Sequence, residues 1–366
     1  MKCKVLIVLI VFCLGACGSE DGGSYASEKQ PTDSLQKGDV SFMHISDTHG
    51  SSVSVIPMVE ALNSTDCDFG IISGDILPDA YMMGWINRSS KPIFLIPGNH
   101  DIYEGYGQYG FRENAINKNT TISNVSYGNP QANYYSYDIK KNNYTLRVIA
   151  LDQFEHDAVE RLGFMEVIMS QTQIDWFIHV LEDSYSVDGI IVIIHEGFGN
   201  KFIGQRNVEN TNNFISSLAA DFPDSYDFFG AANPLMIPEI VEAYLTGDNI
   251  VNRSYPSGAD KITLNVTTNF KGQHHNFIAY FGGHLHWDEV EYLNSFPNQL
   301  IVLIAFGGNG TGSKWNDLIK IGLDSSYNIN YNVVDFEKKK FTIHRLGAKE
   351  TISGVVRDSI AFDILK

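Results

Sequence analysis

The chain has 366 residues, 43% of them hydrophobic and 19% charged, which is enough apolar material for a large packed core in one domain or two. Its formal net charge of −17 excludes a surface built to neutralise a nucleic-acid backbone, since such surfaces cluster Lys and Arg. Three of the four cysteines (Cys3, Cys13, Cys17) lie at the extreme N-terminus, so Cys67 stands alone in the rest and no disulfide framework is possible there.

At the start, Lys2 and Lys4 precede the apolar run Val5 to Leu14, which closes on Leu14-Gly15-Ala16-Cys17. A basic flank, an apolar stretch too short to cross a bilayer and small residues before a cleavage point describe an export signal. Its ending resembles the bacterial lipoprotein box. That resemblance implies removal of residues 1–16, lipidation of Cys17 and attachment of the protein to a membrane of the cell envelope; a plain secretory signal is the alternative. Residues 17–38, rich in Gly, Ser, Glu and Asp, have the composition of a flexible tether.

Residues 39–366 read as a single domain of two packed sheets. Three short apolar runs each end in polar residues: Phe42-Met43-His44-Ile45 before Asp47-Thr48-His49, Phe69-Gly70-Ile71-Ile72 before Gly74-Asp75, and Ile93-Phe94-Leu95-Ile96 before Gly98-Asn99-His100-Asp101. Helix-length segments near Val53–Leu62 and Tyr81–Asn87 separate them, the spacing of βαβ units with parallel strands. Strand ends of such sheets share one crevice. An extended backbone through Asp47 and His49 would turn both side chains to one side. Residues 103–133 form a polar, Tyr-rich wall, in which Tyr103, Tyr106 and Tyr109 are candidates to stack on a substrate ring.

Tyr134–Ile139 and Tyr144–Leu151 read as a hairpin, and Asp152 after it as a turn residue, with cleft lining as the alternative. Ile174, Phe177 and Leu181 in Ser170–Glu182 lie at i, i+3, i+7 and define an amphipathic helix. The apolar run Ile190–Ile194 is a buried strand ending at His195. About 197–272 form an insertion, with a helix over Pro238–Leu245 and a strand near Lys261–Val266. Phe277–Phe281 leads into Gly282-Gly283-His284-Leu285-His286, and strands follow to the end of the chain. Cys67 and His44 are read as core residues, and Arg206 as a weak candidate phosphate contact.

Five clusters therefore stand at strand ends, offering carboxylates, an amide oxygen and imidazoles but no thiolate, a donor set suited to Zn, Mn or Fe. The ordered set Asp47-x-His49, Gly74-Asp75, Gly98-Asn99-His100-Asp101, His195 and Gly283-His284-x-His286 resembles the calcineurin-like metallophosphoesterases. The helix Gln171–Leu181, with Trp176, also resembles that family's. Glu196 after His195, and the insertion, depart from the pattern.

The resemblance implies an α/β fold, a four-layer α/β/β/α sandwich of two mixed sheets flanked by helices. It implies two divalent or trivalent ions, Asp47, His49 and His286 on the first, Asn99, His195 and His284 on the second, with Asp75 bridging. The expected activity is hydrolysis of phosphate esters by a hydroxide bridging the metals, as a phosphatase or phosphodiesterase. His100 is the expected general acid, oriented by Asp101 or, second, by Asp79. No protein partner is indicated. A catalytically silent, surface-anchored binding lipoprotein on the same fold is the alternative.

Overall fold

A computed structural model describes residues 40–103, 107–123, 125–155, 167–198, 235–257, 262–284, 289–293, 295–304, 329–346 and 359–364. The expectations for the export signal, the tether, Cys17, Tyr106, Arg206 and His286 lie outside these residues.

The three N-terminal apolar runs are strands: β1 (Val40–Ile45), β2 (Phe69–Ile72) and β3 (Ile93–Leu95), parallel to one another. The helices between them are α1 (Val55–Ser64) and α2 (Ala80–Ile86). α1 buries Val55, Met58, Val59 and Leu62, one face at i, i+3, i+4, i+7. α2 starts where the Asp79 carboxylate accepts the Met82 N–H. A short turn, α3 (Asn99–Asp101), follows β3, and α4 (Gly107–Phe111) lies in the Tyr-rich wall. β13 (Ile329–Asp335), β14 (Lys340–Leu346) and β15 (Ser359–Asp363) complete a six-stranded sheet in the order β15-β14-β13-β1-β2-β3.

The second sheet has seven strands, β11-β12-β10-β7-β6-β5-β4. Its members are β4 (Ser126–Tyr127), β5 (Tyr135–Lys141), β6 (Tyr144–Ala150), β7 (Gly189–Ile193), β10 (Phe277–Gly282), β11 (Glu289–Leu293) and β12 (Phe296–Leu303). β5 and β6 form the expected hairpin, turning through Asn142 at φ 54°. β6, β7, β10 and β12 are parallel, which brings Asp152, His195 and His284 to one edge. α5 (Gln171–Glu182) makes the crossover from β6 to β7, with the Ser170 hydroxyl capping its N-terminus.

A continuous apolar layer fills the space between the sheets: Phe42 of β1 stacks on Phe69 and meets Phe281 of β10 edge-on at 5.1 Å. The outer face of the second sheet is covered by α5 and α6 (Met236–Thr246). β7 is apolar on both faces because both are buried. The architecture is the expected mixed α/β fold of two large sheets. Within the insertion, β8 (Arg253–Ser257) pairs with β9 (Ile262–Val266) as a small hairpin; only β9 is anticipated by the apolar pattern. No described helix is long and apolar enough to cross a membrane.

Cys67 is fully buried, and burial, reinforced by the charge of Asp68, pushes its thiol up to about 12, so it is an inert core residue. His44 is likewise interior, its Nε2 2.8 Å from the Ser73 hydroxyl.

Candidate metal centre

The strand ends do converge, but not through extended segments. Asp47, His49, Asp75 and His284 have φ of 53°, 44°, 51° and 71°, in the left-handed region that residues with a Cβ rarely adopt. The same-side alternation expected for Asp47 and His49 is thus replaced by a kinked turn. Backbone bonds hold the kinks: Asp47 N–H donates to Gly74 O (3.1 Å), His49 N–H to Asp75 O (2.8 Å) and Gly50 N–H to Ile76 O (3.0 Å), so the first two strand-end loops are zipped together.

Asp75 is the hub. Its Oδ2 lies 3.3 Å from His195 Nε2, 3.7 Å from His49 Nε2 and 3.9 Å from His100 Nε2, while Oδ1 accepts the His100 N–H at 2.9 Å. Burial would raise its pKa, but His195 and, more weakly, His100 and His49 hold the carboxyl well below the usual range. Two triads of donor atoms share it: His49, Asp75 and His100, and Asp75, His195 and His284, each within 4.8 Å. At the second, Asn99 Oδ1 is 3.1 Å from both His195 Nε2 and His284 Nδ1, and those two nitrogens are 3.3 Å apart.

Such spacings suit a cation. Ligands at about 2.0–2.2 Å from one ion stand roughly 3.0–3.5 Å from each other, and the nitrogen and oxygen donors of Asp75, Asn99, His195 and His284 stand at that spacing. His195 is aimed by its far side: Nδ1 lies 2.7 Å from Ser73 O, and because a carbonyl can only accept, Nδ1 carries the proton and Nε2 faces the site. Burial lowers the basicity of the His195 imidazole, but the charge of Asp75 outweighs it and raises the pKa to about 10. A bound cation would displace that proton.

Of the predicted ligands, Asp75, Asn99, His195 and His284 are gathered directly, and His49 approaches Asp75 from the open side. Asp47 is fully buried next to them, its two carboxylate oxygens accepting the His284 N–H at 3.1 and 2.9 Å. Gly283 is required there: a Cβ would overlap Ser46 and the Asp47 carboxylate. His100 stands in ligand reach of Asp75 and ring to ring with His49, 4.4 Å between centroids.

Asp101, the residue expected to orient His100, is bonded to backbone amides. Asp101 accepts the backbone N–H groups of Gly98 (2.9 Å), Ile76 (3.1 Å) and Leu77 (2.6 Å), so it ties the second strand-end loop to the third. Burial and the neighbouring Asp75 charge push its carboxyl up to about 7. The second candidate, Asp79, is occupied as the α2 cap. Asp152 stands at a turn just past β6, as its position in the sequence suggests: its Oδ1 accepts the Phe154 N–H two residues on. It is fully buried and accepts from Gln108, Asn133 and the Phe154 N–H, pinning the Tyr-rich wall to β6.

Ser73, which aims His195, and Gln153, bonded to the backbone beyond β7, carry no pattern by which sequence would single them out. Both act through contacts between strands distant in the chain.

The family model described as calcineurin-like phosphoesterase matches residues 40–288. Among solved structures, a dimetal phosphatase from Danio rerio is similar with 10% identity, covering 89% of this chain and 99% of that one, at a TM-score of 0.50, a likeness of fold alone. GAP50, the anchor in the inner membrane complex of Plasmodium, is 12% identical over 89% of each chain with a TM-score of 0.45. The 5'-nucleotidase from Candida albicans is 15% identical, with 81% of this chain and 47% of that one covered and a TM-score of 0.39. No curated protein matches in sequence. The matched span covers well over half of the chain and takes in every strand-end cluster, and by it this chain belongs to the calcineurin-like phosphoesterase family.

Proposed function

We propose that the protein hydrolyses phosphate esters at a pair of metal ions that share Asp75. The observation that carries this reading is the position of the Asp75 carboxylate between two donor triads, buried to 1% exposure and facing three imidazoles. Asn99, His195 and His284 would hold one ion; His49, with Asp47 adjacent and His286 from the family pattern, would hold the other. When bound, the ions supply Lewis acidity toward phosphate oxygens and a water acidified to near neutrality.

The protein's own groups supply the rest. His195 is fully buried, whereas the side chains of His49 and His100 are 19% and 23% exposed, so substrate approaches over those two rings. His100 Nε2 donates a proton to the leaving oxygen. Its ring is fixed through its backbone, by the bond from its N–H to Asp75 Oδ1, and the chain around it through Asp101. Asp75 thereby sets the metals and the acid in one frame.

The test is metal content per chain together with hydrolysis of p-nitrophenyl phosphate and bis-p-nitrophenyl phosphate. Two metals and turnover of either ester support the reading, and the preferred ester tells phosphatase from phosphodiesterase. Two metals without turnover favour the silent binding lipoprotein. Lipidation of Cys17 is proposed on the sequence alone; labelled palmitate entering the wild type and not Cys17→Ser is the expected result.

A further inference from the structure

β6 and β7 are parallel neighbours, their ladder running to Ala150 and Ile193, with the Leu151 N–H donating to Ile193 O at 3.0 Å. β6 ends at Ala150, and among the described residues no strand pairs with the backbone of His195 and Glu196 on that edge. One side chain takes the strand's place. Gln153, 4% exposed, accepts the His195 N–H (2.7 Å) and the Glu196 N–H (2.8 Å) with Oε1 and returns Nε2–H to Glu196 O at 2.9 Å. On the opposite side, His195 O accepts the Gly283 N–H at 2.9 Å.

We propose that Gln153 is a positioning residue for the second metal: by completing the sheet edge with its amide, it fixes the His195 backbone and so sets that ion's affinity. The proposal rests on the two-metal reading above. Its physical basis is tolerance. His195 Nε2 stands 3.1 Å from Asn99 Oδ1 and 3.3 Å from both Asp75 Oδ2 and His284 Nδ1. Ligand sets of this kind work only within about 0.5 Å of their productive geometry. The ring is already held at Nδ1 by Ser73 O, but a ring pivoting on an unsupported backbone still swings its far nitrogen. Phe154, the next residue, adds an edge contact to the His195 ring at 5.8 Å between centroids. Gln153 bonds the backbone of His195 and Glu196, and of the proposed ligands His195 serves one ion alone, so the influence of Gln153 is selective for that ion.

The experiment is titration of the metal-free full chain with Mn2+, followed by calorimetry and electron paramagnetic resonance, in the wild type, Gln153→Leu and Gln153→Glu. Leu keeps the bulk and removes all three bonds. One of the two binding steps should lose about 10- to 100-fold in affinity, the range for groups that orient a metal ligand. The other step should stay within about twofold, and the spin-coupled two-manganese signal should give way to that of a single ion.

Gln153→Glu keeps the acceptor for both amides and should recover most of the lost affinity. If Gln153→Leu does not fold, Gln153→Ser, which leaves room for water on the two amides, takes its place with the same expectation. Equal loss at both steps, or none, overturns the role of Gln153 while leaving the two-metal reading intact. A wild-type chain that binds fewer than two ions overturns that reading itself.

Discussion

Replacing Asp75 by Asn is the sharpest perturbation of the proposed centre. The side chain keeps its shape and can still accept the His100 N–H through Oδ1, but it loses the unit charge that faces three imidazole nitrogens at 3.3–3.9 Å. At roughly 4 Å and an effective dielectric of about 20, a pair of unit charges interacts by about 4 kcal/mol, and a divalent ion with a carboxylate by about twice that. Desolvation offsets most of such a gain. If only a quarter remains, each ion loses about 2 kcal/mol, or about 30-fold in affinity.

Because Asp75 belongs to both triads, the two losses should come together, whereas Asn99→Ala, which touches only the His195–His284 side, should weaken one ion. Equilibrium dialysis with elemental analysis, and circular dichroism to show that the variant folds, make the measurement. An Asp75→Asn chain that retains two metals at wild-type affinity would refute the shared-carboxylate argument.

His100→Ala should keep both metals and lower kcat by about two to four decades; loss of one metal instead would make His100, which lies in reach of His49 and Asp75, a ligand rather than an acid. Gly283→Ala should abolish tight metal binding, since its Cβ overlaps the Asp47 carboxylate, and an unchanged dissociation constant would contradict the packing seen there. Cys67 should resist thiol reagents in the native protein at pH 8 and react only on unfolding, as a buried thiol with its pKa near 12 must. Burial raises the Asp152 carboxyl to about 6. Since the unfolded chain releases that proton at lower pH, ionisation weakens the fold as pH rises from about 4 to 7, by about 3 kcal/mol at most. Urea midpoints of wild type and Asp152→Asn should therefore draw together at low pH and shift in favour of the variant as pH rises; a constant gap would exclude the effect.

The parallel strands and their terminal clusters were legible because burial on both faces forces short, unbroken apolar runs, and metal chemistry forces recognisable residues at their ends. β7 ending at His195 and β10 ending at Gly283-His284 are of this kind. β8 was not, because its Arg253–Ser257 segment is a polar edge strand whose pairing with β9 comes from a neighbour and not from its own pattern. The backbone bonds of Asp101 and the side-chain partners of Asp152 were not legible either. An aspartate's partner depends on which amides, of backbone or side chain, the loops present to it, and those amides come from residues 19 to 44 positions away in the case of Gln108, Asn133, Ile76 and Leu77.

The sequence by itself determined the chemistry on offer: the apolar runs, the ordered donors at their ends and the family to which both belong. The tertiary structure decided how those donors are used. It set four of them in left-handed turns, made Asp75 the shared group, bound Asp101 to the backbone amides of two loops and supplied Gln153 as the missing edge of a strand. Local pattern reports which side chains must be buried or exposed, but a hydrogen bond or a ligand cradle is a relation in space between distant residues, and it exists only once the sheets have packed.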